Sequence, residues 1–592
     1  MRISRQTTVK TGAAGKRGAV SAARLETAEA GMSMLGQGGN AVDAAVSAGF
    51  VAGVVEPMET TLAGSGFMLV HLPAGDAVHS VEFAPRAPAA ASAAMFRIDE
   101  GRTLDRGLGI SSVVDDENLQ GIKAAGIPAT LASLVDAHAR FGRLPLATVL
   151  APAIRLAHDG FAADSYFTLE VVANLSALRR DPGAARTFLL GGDPFAAAHL
   201  GETSLGAPTL FRQAALGRTL ERLAAGGADA FRHGEIGDAL AETVRELGGI
   251  VARDDMRGQQ TVLAPARHMR FRDADVWGPA APCGTVTQHE ILKIWAALYP
   301  DHGPKEESGA RLQAYADASW HAFADRYHWL GDPDFVAVPE NGLLSDAYAA
   351  DLAARIKRGA SAPRSRPGEP LPWEKFASLA AHDPWAFEAD RSRKTTWNPG
   401  GATAPTAGTT HVSVIDGEGM AVSLTHTAAN HFGSKVVCER TGLLFDGAMG
   451  WFNARPGAAN SIAGGKRPLA NMAPMMLTRN GQVTAALGAP GGRRIINAVV
   501  QIALNLVERG MSAEEAVAAP RIDASGSEIL VSERLSDLAA PWDATAYPWK
   551  AVKEQFMPFD YEMARPVVVA RSTDGTLTGA TDPGTKGFSL AE

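Results

Sequence analysis

The sequence predicts a mixed α/β chain of the α+β kind, an αββα sandwich in which two stacked antiparallel sheets are flanked by helices. Three observations predict it. Residues 408–427 read as strand–turn–strand: Val412 and Val414 alternate with polar neighbours, an Asp-Gly turn follows, and Val422 and Leu424 alternate back. Residues 475–487 repeat that pattern around Asn480-Gly481. Directly behind the second hairpin, 495–508 sets Ile496, Val499, Val500, Ala503, Leu504 and Val507 on one helical face, with Gly510 as its stop. Hairpins and amphipathic helices in this arrangement bury their apolar faces by layering.

In chain order, 18–22 reads as a short strand and 25–35 as a helix ending near Gly36. Asn40 is the N-cap of a second helix, with Asp43 at its positive end. That helix, 41–54, is almost entirely small and apolar, so it should be buried on most sides, and Pro57 ends it. The Gly-rich stretch 60–66 lacks the Gly-Lys-Ser/Thr of a phosphate loop and reads as a tight turn into a central strand at 67–72. From 127 to about 286 the pattern is helical, with amphipathic helices at 131–141 and 145–159, the second opened by Pro145. A turn at 278–285 leads to a helix around 289–298. Residues 359–408 are enriched in Pro, Gly, Ser and charge, which marks a boundary between a helix-rich N-terminal part and a strand-rich C-terminal part.

Composition narrows the function classes. The formal charge of −8 and pI near 6.0 carry no basic footprint, so nucleic acid is not an expected partner. Cys283 and Cys438 stand far apart with no CxxC, which argues against a disulfide framework or a thiolate zinc site and favours a reducing compartment. Cys283 reads as a small buried thiol. The basic start has no apolar core behind it, unlike a secretory signal, and the run 41–55 is too short to span a membrane and contains Asp43. A cytoplasmic protein without a membrane partner, cofactor or bound metal is expected.

The chemistry points to one peptide bond. Residues 397–408 are small and polar, a flexible arm ending in Gly408, and Thr409 opens the strand behind it. Such an arrangement suits a chain that cuts itself. Thr409 Oγ1 would attack the Gly408 carbonyl, and the freed α-amine would then serve the hydroxyl as its own base. A β-favouring strand start after a linker accounts for the same two threonines without chemistry.

Nine further stretches bear on that choice. They are Gly38-Gly39-Asn40-Ala41-Val42-Asp43-Ala44, Val54-Val55-Glu56-Pro57, Ala87-Pro88-Ala89, the 150–157 stretch Leu-Ala-Pro-Ala-Ile-Arg-Leu-Ala and the 330–335 stretch Leu-Gly-Asp-Pro-Asp-Phe. After them come Thr409-Thr410-His411, Lys466-Arg467-Pro468-Leu469, Pro490-Gly491-Gly492 and Ala519-Pro520-Arg521. In this order and across nearly the whole chain, they resemble the γ-glutamyltranspeptidase family of N-terminal-nucleophile hydrolases, with this chain a divergent member. The resemblance implies a precursor cut between Gly408 and Thr409. A large subunit, 1–408, and a small subunit, 409–592, would then remain together as one structural unit. It implies Thr409 as nucleophile, Thr427 as the second threonine whose hydroxyl supports it, and the N–H groups of Gly491 and Gly492 as the oxyanion hole. Two glycines there let the backbone turn its donors inward with no side chain in the way.

The sequence departs from the family where the family grips glutamate. The Arg-Glu pair that binds the α-carboxylate reads Ala84-Pro85, with Arg86 two positions beyond the first. The acid for the α-amine falls on Trp451, its Gln neighbour on Ala448, and the paired serines on Ala470 and Asn471. Arg86, His431, Trp451 and Asn471 are therefore the substrate-binding candidates. His426, His431 and Asp446 are either a His–carboxylate pair or polar lining, and Asp446 or Glu59 is an alternative source of the missing carboxylate. An α-ammonium group without its partner would cost a few kcal/mol. The expected activity is an autoprocessing threonine amidohydrolase or acyltransferase acting on a small amide. Open beside it stand an ordinary γ-glutamyl enzyme acting on glutathione, an oxamate-type amidase, an acylase and a non-catalytic uncleaved scaffold, each as a single copy or a homo-oligomer.

Overall fold

The computed structural model describes residues 10–73, 75, 77–100, 112–195, 210–357, 408–526, 528–544, 546–553 and 563–592. Most of the boundary region 359–408, including the arm before Gly408, lies outside the described residues. Fourteen strands form two seven-stranded sheets. In chain order they are β1 (Ala13–Gly15), β2 (Gly18–Ala22), β3 (Ser65–His71), β4 (Val78–Phe83), β5 (Val262–Pro265), β6 (Arg267–Phe271) and β7 (Ala274–Gly278). After Gly408 come β8 (Thr410–Asp416), β9 (Ala421–Thr427), β10 (Met475–Arg479), β11 (Gln482–Gly488), β12 (Val567–Arg571), β13 (Leu577–Thr581) and β14 (Phe588–Ala591). The first sheet runs β14-β2-β8-β9-β3-β4-β5 and the second β1-β13-β12-β11-β10-β7-β6. All neighbours are antiparallel. Seven strands precede Gly408 and seven follow it, so both sheets are woven from the two segments.

The helix series begins with α1 (Leu25–Gly36), α2 (Ala41–Val55), α3 (Thr130–Phe141), α4 (Leu146–Asp159) and α5 (Ser165–Ala173). Every residue of α2 is buried. Its N-terminus is heavily capped. Asn40 Oδ1 accepts the N–H groups of Val42 and Asp43, Asp43 returns a bond to the Asn40 N–H, and Asp416 Oδ2 accepts the Ala41 N–H at 2.9 Å. That last bond fastens the helix to the turn of the β8–β9 hairpin. Further along come α6 (Thr285–Leu298), α7 (Gly309–Trp329) and α8 (Arg494–Val507). The first sheet shares an apolar core with α1–α4, and the second sheet shares another with α6–α8, which makes four layers. Among the described residues no helix is long and apolar enough to cross a membrane.

The alternation along the central hairpin has an unexpected physical meaning. Val412, Val414, Val422 and Leu424 join the core under α2, but the polar positions between them are just as buried. His411, Ser413, Ser423 and Thr425 face the second sheet. His411 bonds Thr425 Oγ1 at 2.7 Å and Ser413 Oγ at 3.0 Å, and Ser423 Oγ donates to Leu487 O at 3.0 Å. Small polar groups satisfied by one another form this part of the seam between the sheets. Gly488 on β11 lies directly against the His411 ring, where a Cβ would overlap it. We expect Gly488→Ala to lower stability by about 1–3 kcal/mol, read as a lower Tm.

The helical reading of 127–286 requires correction, because β5, β6 and β7 lie inside it. They are four or five residues long, and β5 and β6 are the edge strands of the two sheets, with β7 next to β6. Val262 and Leu263 are exposed, and Arg267, His268 and Arg270 interrupt any apolar run. Edge strands lack the two-sided burial that makes a strand readable.

Candidate active site

Thr409 stands immediately before β8 and is 2% exposed. Its Oγ1 donates to the Gly408 carbonyl oxygen at 2.6 Å and lies 3.3 Å from Thr427 Oγ1. Thr427, the last residue of β9, is carried back beside Thr409 by the hairpin register, in which Thr410 pairs with His426. The Thr427 hydroxyl also donates to the Gly408 carbonyl oxygen and accepts the Ala429 N–H at 2.8 Å. Two hydroxyls thus converge on one peptide carbonyl. Gly408 fits here because a Cβ would meet the carbonyl oxygens of Met58, Glu59 and Asn430 at 2.6–3.1 Å.

The Thr409 N–H donates to Glu59 Oε2 at 2.9 Å. Glu59 comes from the turn after α2, and its other oxygen is held by the Tyr166 hydroxyl of α5 and by the Arg565 guanidinium at 3.0 Å. Burial pushes the Glu59 carboxyl up, but Arg565, then His431, Tyr166 and the Thr409 N–H outweigh it and hold it below the usual range. Burial pushes the neighbouring Glu56, which accepts from Thr27, up to about 7 against the pull of Arg24.

Gly491 and Gly492 follow β11 with φ of +138° and +61°, conformations that favour glycine. The preceding Pro490 carbonyl accepts the Arg565 N–H at 2.9 Å. The loop is therefore tied to the same arginine that pairs with Glu59. Trp451 ends a short 3-10 turn, Ala448–Trp451, whose preceding Gly447 N–H bonds Ala428 O, one residue past Thr427. At the base of that turn Asp446 Oδ1 accepts the Gly126 and Ala448 N–H groups, while Oδ2 is buried without a hydrogen-bond partner among the described residues. Burial raises the Asp446 carboxyl to about 7.

The remaining candidates have their own partners. His431 bonds Glu170 of α5. His426 shares a 2.8 Å bond with Thr60, and burial holds its pKa down at about 3, so it stays neutral. The Asn471 side-chain oxygen accepts from Arg326 of α7 at 2.9 Å. Arg86 donates to Gly465 O at 2.6 Å and lines a cavity of about 340 Å³ with Arg467, Ala84 and Ile127. Arg467 is paired there with Asp332 and Asp334, and Arg86, whose hydrogen bond goes to the Gly465 carbonyl, shares the field of the same two carboxylates. The Arg86 carbonyl in turn accepts the Ile127 N–H, next to the Gly126 that binds Asp446. Among the described residues no group of three or more His, Cys, Asp and Glu is placed to hold a metal ion. Sequence reasoning missed Tyr166, Glu170 and Arg565 altogether, and it named Glu59 only as a substrate carboxylate.

The sequence model described as Gamma-glutamyltranspeptidase matches residues 27–591. The chain belongs to the γ-glutamyltranspeptidase family. It is 30% identical over 521 residues to the Glutathione hydrolase proenzyme of Escherichia coli (strain K12), covering 86% of this chain and 80% of that one. It is 32% identical over 584 residues to the Acylase ACY 1 proenzyme of Pseudomonas sp. (strain SE83), covering 98% and 94%. The fold superposes with a TM-score of 0.80 on a cephalosporin acylase from Bacillus halodurans at 21% identity, over 100% of this chain and 99% of the other. As a family member the chain is an N-terminal-nucleophile amidohydrolase or acyltransferase.

Proposed function

We propose that this transpeptidase-family chain cuts itself between Gly408 and Thr409 and then hydrolyses or transfers an acyl group that lacks an α-ammonium. The convergence of the Thr409 and Thr427 hydroxyls on the Gly408 carbonyl oxygen carries the first half. Thr409 Oγ1 attacks the Gly408 carbonyl carbon, the Thr427 hydroxyl holds the developing oxyanion, and the C–N bond gives way to an ester. The Oγ1 proton passes to the departing nitrogen, which becomes the free Thr409 amine, and water then hydrolyses the ester to release the Oγ1 hydroxyl and the Gly408 carboxylate. In turnover that amine takes the Oγ1 proton, Oγ1 forms the acyl-enzyme, and the same proton leaves on the departing amine. The Gly491 and Gly492 N–H groups serve the substrate oxyanion.

For the acyl group, Trp451 offers an apolar face and a single N–H donor where the family places an acid. Arg86, whose guanidinium lines the cavity and spends a hydrogen bond on the Gly465 carbonyl, suits a carboxylate at the far end of the acyl chain. Glutaryl-p-nitroanilide and γ-glutamyl-p-nitroanilide differ only by the ammonium group, so the pair isolates the question. We expect kcat/KM at least about tenfold higher for the glutaryl compound, the cost of one unmatched charge. Trp451→Asp should shrink or reverse the ratio, with self-cleavage as the check that the variant folds. Efficient turnover of glutathione by the wild type would overturn this assignment of the acyl pocket. Both cysteines are buried free thiols, which suits a cytoplasmic site of action, and cell fractionation tests that placement.

A further inference from the structure

We infer that Glu59 is the anchor of the catalytic amine: once the chain is cut, its carboxylate holds the Thr409 α-amine, with Tyr166 and Arg565 fixing the carboxylate in place. The inference rests on the Thr409 reading above. Its geometry is already present in the uncut chain, where Glu59 Oε2 accepts the Thr409 N–H at 2.9 Å across 350 residues of sequence. Tyr166 donates to Glu59 Oε1, and Arg565 pairs with that oxygen at 3.0 Å. Arg565 also donates to the Tyr166 hydroxyl at 2.9 Å and lies over its ring at 5.0 Å. Each member of the cluster therefore restrains the next. Through its backbone N–H, Arg565 also holds Pro490 at the head of the Gly491-Gly492 loop.

The chemistry requires such a group. An N-terminal residue without a partner is free to swing, and a base a few tenths of an ångström out of place loses its hydroxyl. A carboxylate fixes the amine and stabilises the ammonium formed when Oγ1 gives up its proton. A bare carboxylate would overdo this, since a strongly held ammonium no longer acts as a base at neutral pH. Arg565 offsets the charge. The other charged or titratable groups around Glu59 are His431, paired with Glu170, Glu56, in the field of Arg24, and Asp164, which pairs with Arg24 and Lys586 in the same pocket. The precursor and the mature enzyme would thus use the same acceptor, so cleavage leaves the amine where the peptide nitrogen was.

The test compares wild type, Glu59→Gln and Tyr166→Phe with glutaryl-p-nitroanilide across pH, after mass spectrometry has shown where the small chain begins. Gln keeps an acceptor but removes the charge. The amine pKa should fall, moving the acid limb of kcat/KM down by about one pH unit, with kcat reduced roughly ten- to a hundredfold. Tyr166→Phe removes a donor from the carboxylate, leaves it more basic and should move the limb up. An acid limb unmoved in both variants, in protein cut at Thr409, overturns the role of Glu59 alone. Wild-type protein that is active but not cut at Thr409 overturns the nucleophile instead. If Glu59→Gln fails to mature, the direction of the Tyr166→Phe shift decides.

Discussion

Thr409→Ala is expected to purify as one uncut chain and to lose turnover by a factor on the order of 10⁴ or more. On the proposed mechanism the variant deletes the attacking atom, and without cleavage the α-amine would not form, so nucleophile and base would be lost together. The substitution removes one hydroxyl and one methyl from a site that is 2% exposed, and the strand pairing from Thr410 onward does not depend on it. Circular dichroism and Tm should therefore stay near the wild type. Thr409→Ser retains an Oγ and should still cut, which separates loss of chemistry from loss of shape. A Thr409→Ala protein that splits at the same bond would place the nucleophile elsewhere.

The second large effect belongs to Thr427. Its hydroxyl stands between the Ala429 N–H and the Gly408 carbonyl oxygen, so it relays a backbone donor to the carbonyl that the proposed cleavage would turn into an oxyanion. Thr427→Val keeps the branched shape and removes the relay. We expect maturation to slow by roughly ten- to a thousandfold, the loss that follows removal of one such donor. A reduced kcat should persist in whatever fraction matures, since Thr427 Oγ1 also lies 3.3 Å from Thr409 Oγ1. Time-resolved gels give the first number and active-site-normalised kinetics the second. Unchanged rates in both would remove Thr427 from the machinery.

How much of this was legible in the sequence depended on where each residue's partner lies. The β8–β9 hairpin was readable because Val412, Val414, Val422 and Leu424 set a two-residue period around an Asp-Gly turn, all within twenty positions. The α2 cap was readable for the same reason, with Asn40 and Asp43 three apart. The meaning of the polar half of the hairpin was not, because His411, Ser413 and Ser423 find their environment in the second sheet, against Gly488, Val567 and Leu487. The edge strands β5 and β6 escaped because their arginines and exposed apolar side chains break the pattern of a buried strand. Thr409 and Thr427 are named by the hairpin and the family resemblance, and the hairpin register sets them side by side. Glu59 stood within a recognisable stretch, but nothing local says that its carboxylate meets a nitrogen 350 residues later. Tyr166 and Arg565 carry no motif. Only the layering of α5 against the residues before β12 brings them to Glu59.

The central claim is that the chain matures at one peptide bond to expose Thr409, and intact mass spectrometry of the freshly purified wild type tests it most directly. Two chains are expected, the smaller running from Thr409 to Glu592 with an unblocked threonine at its start. A fully active protein that remains one chain, or a small chain that begins at Thr410, would contradict the account.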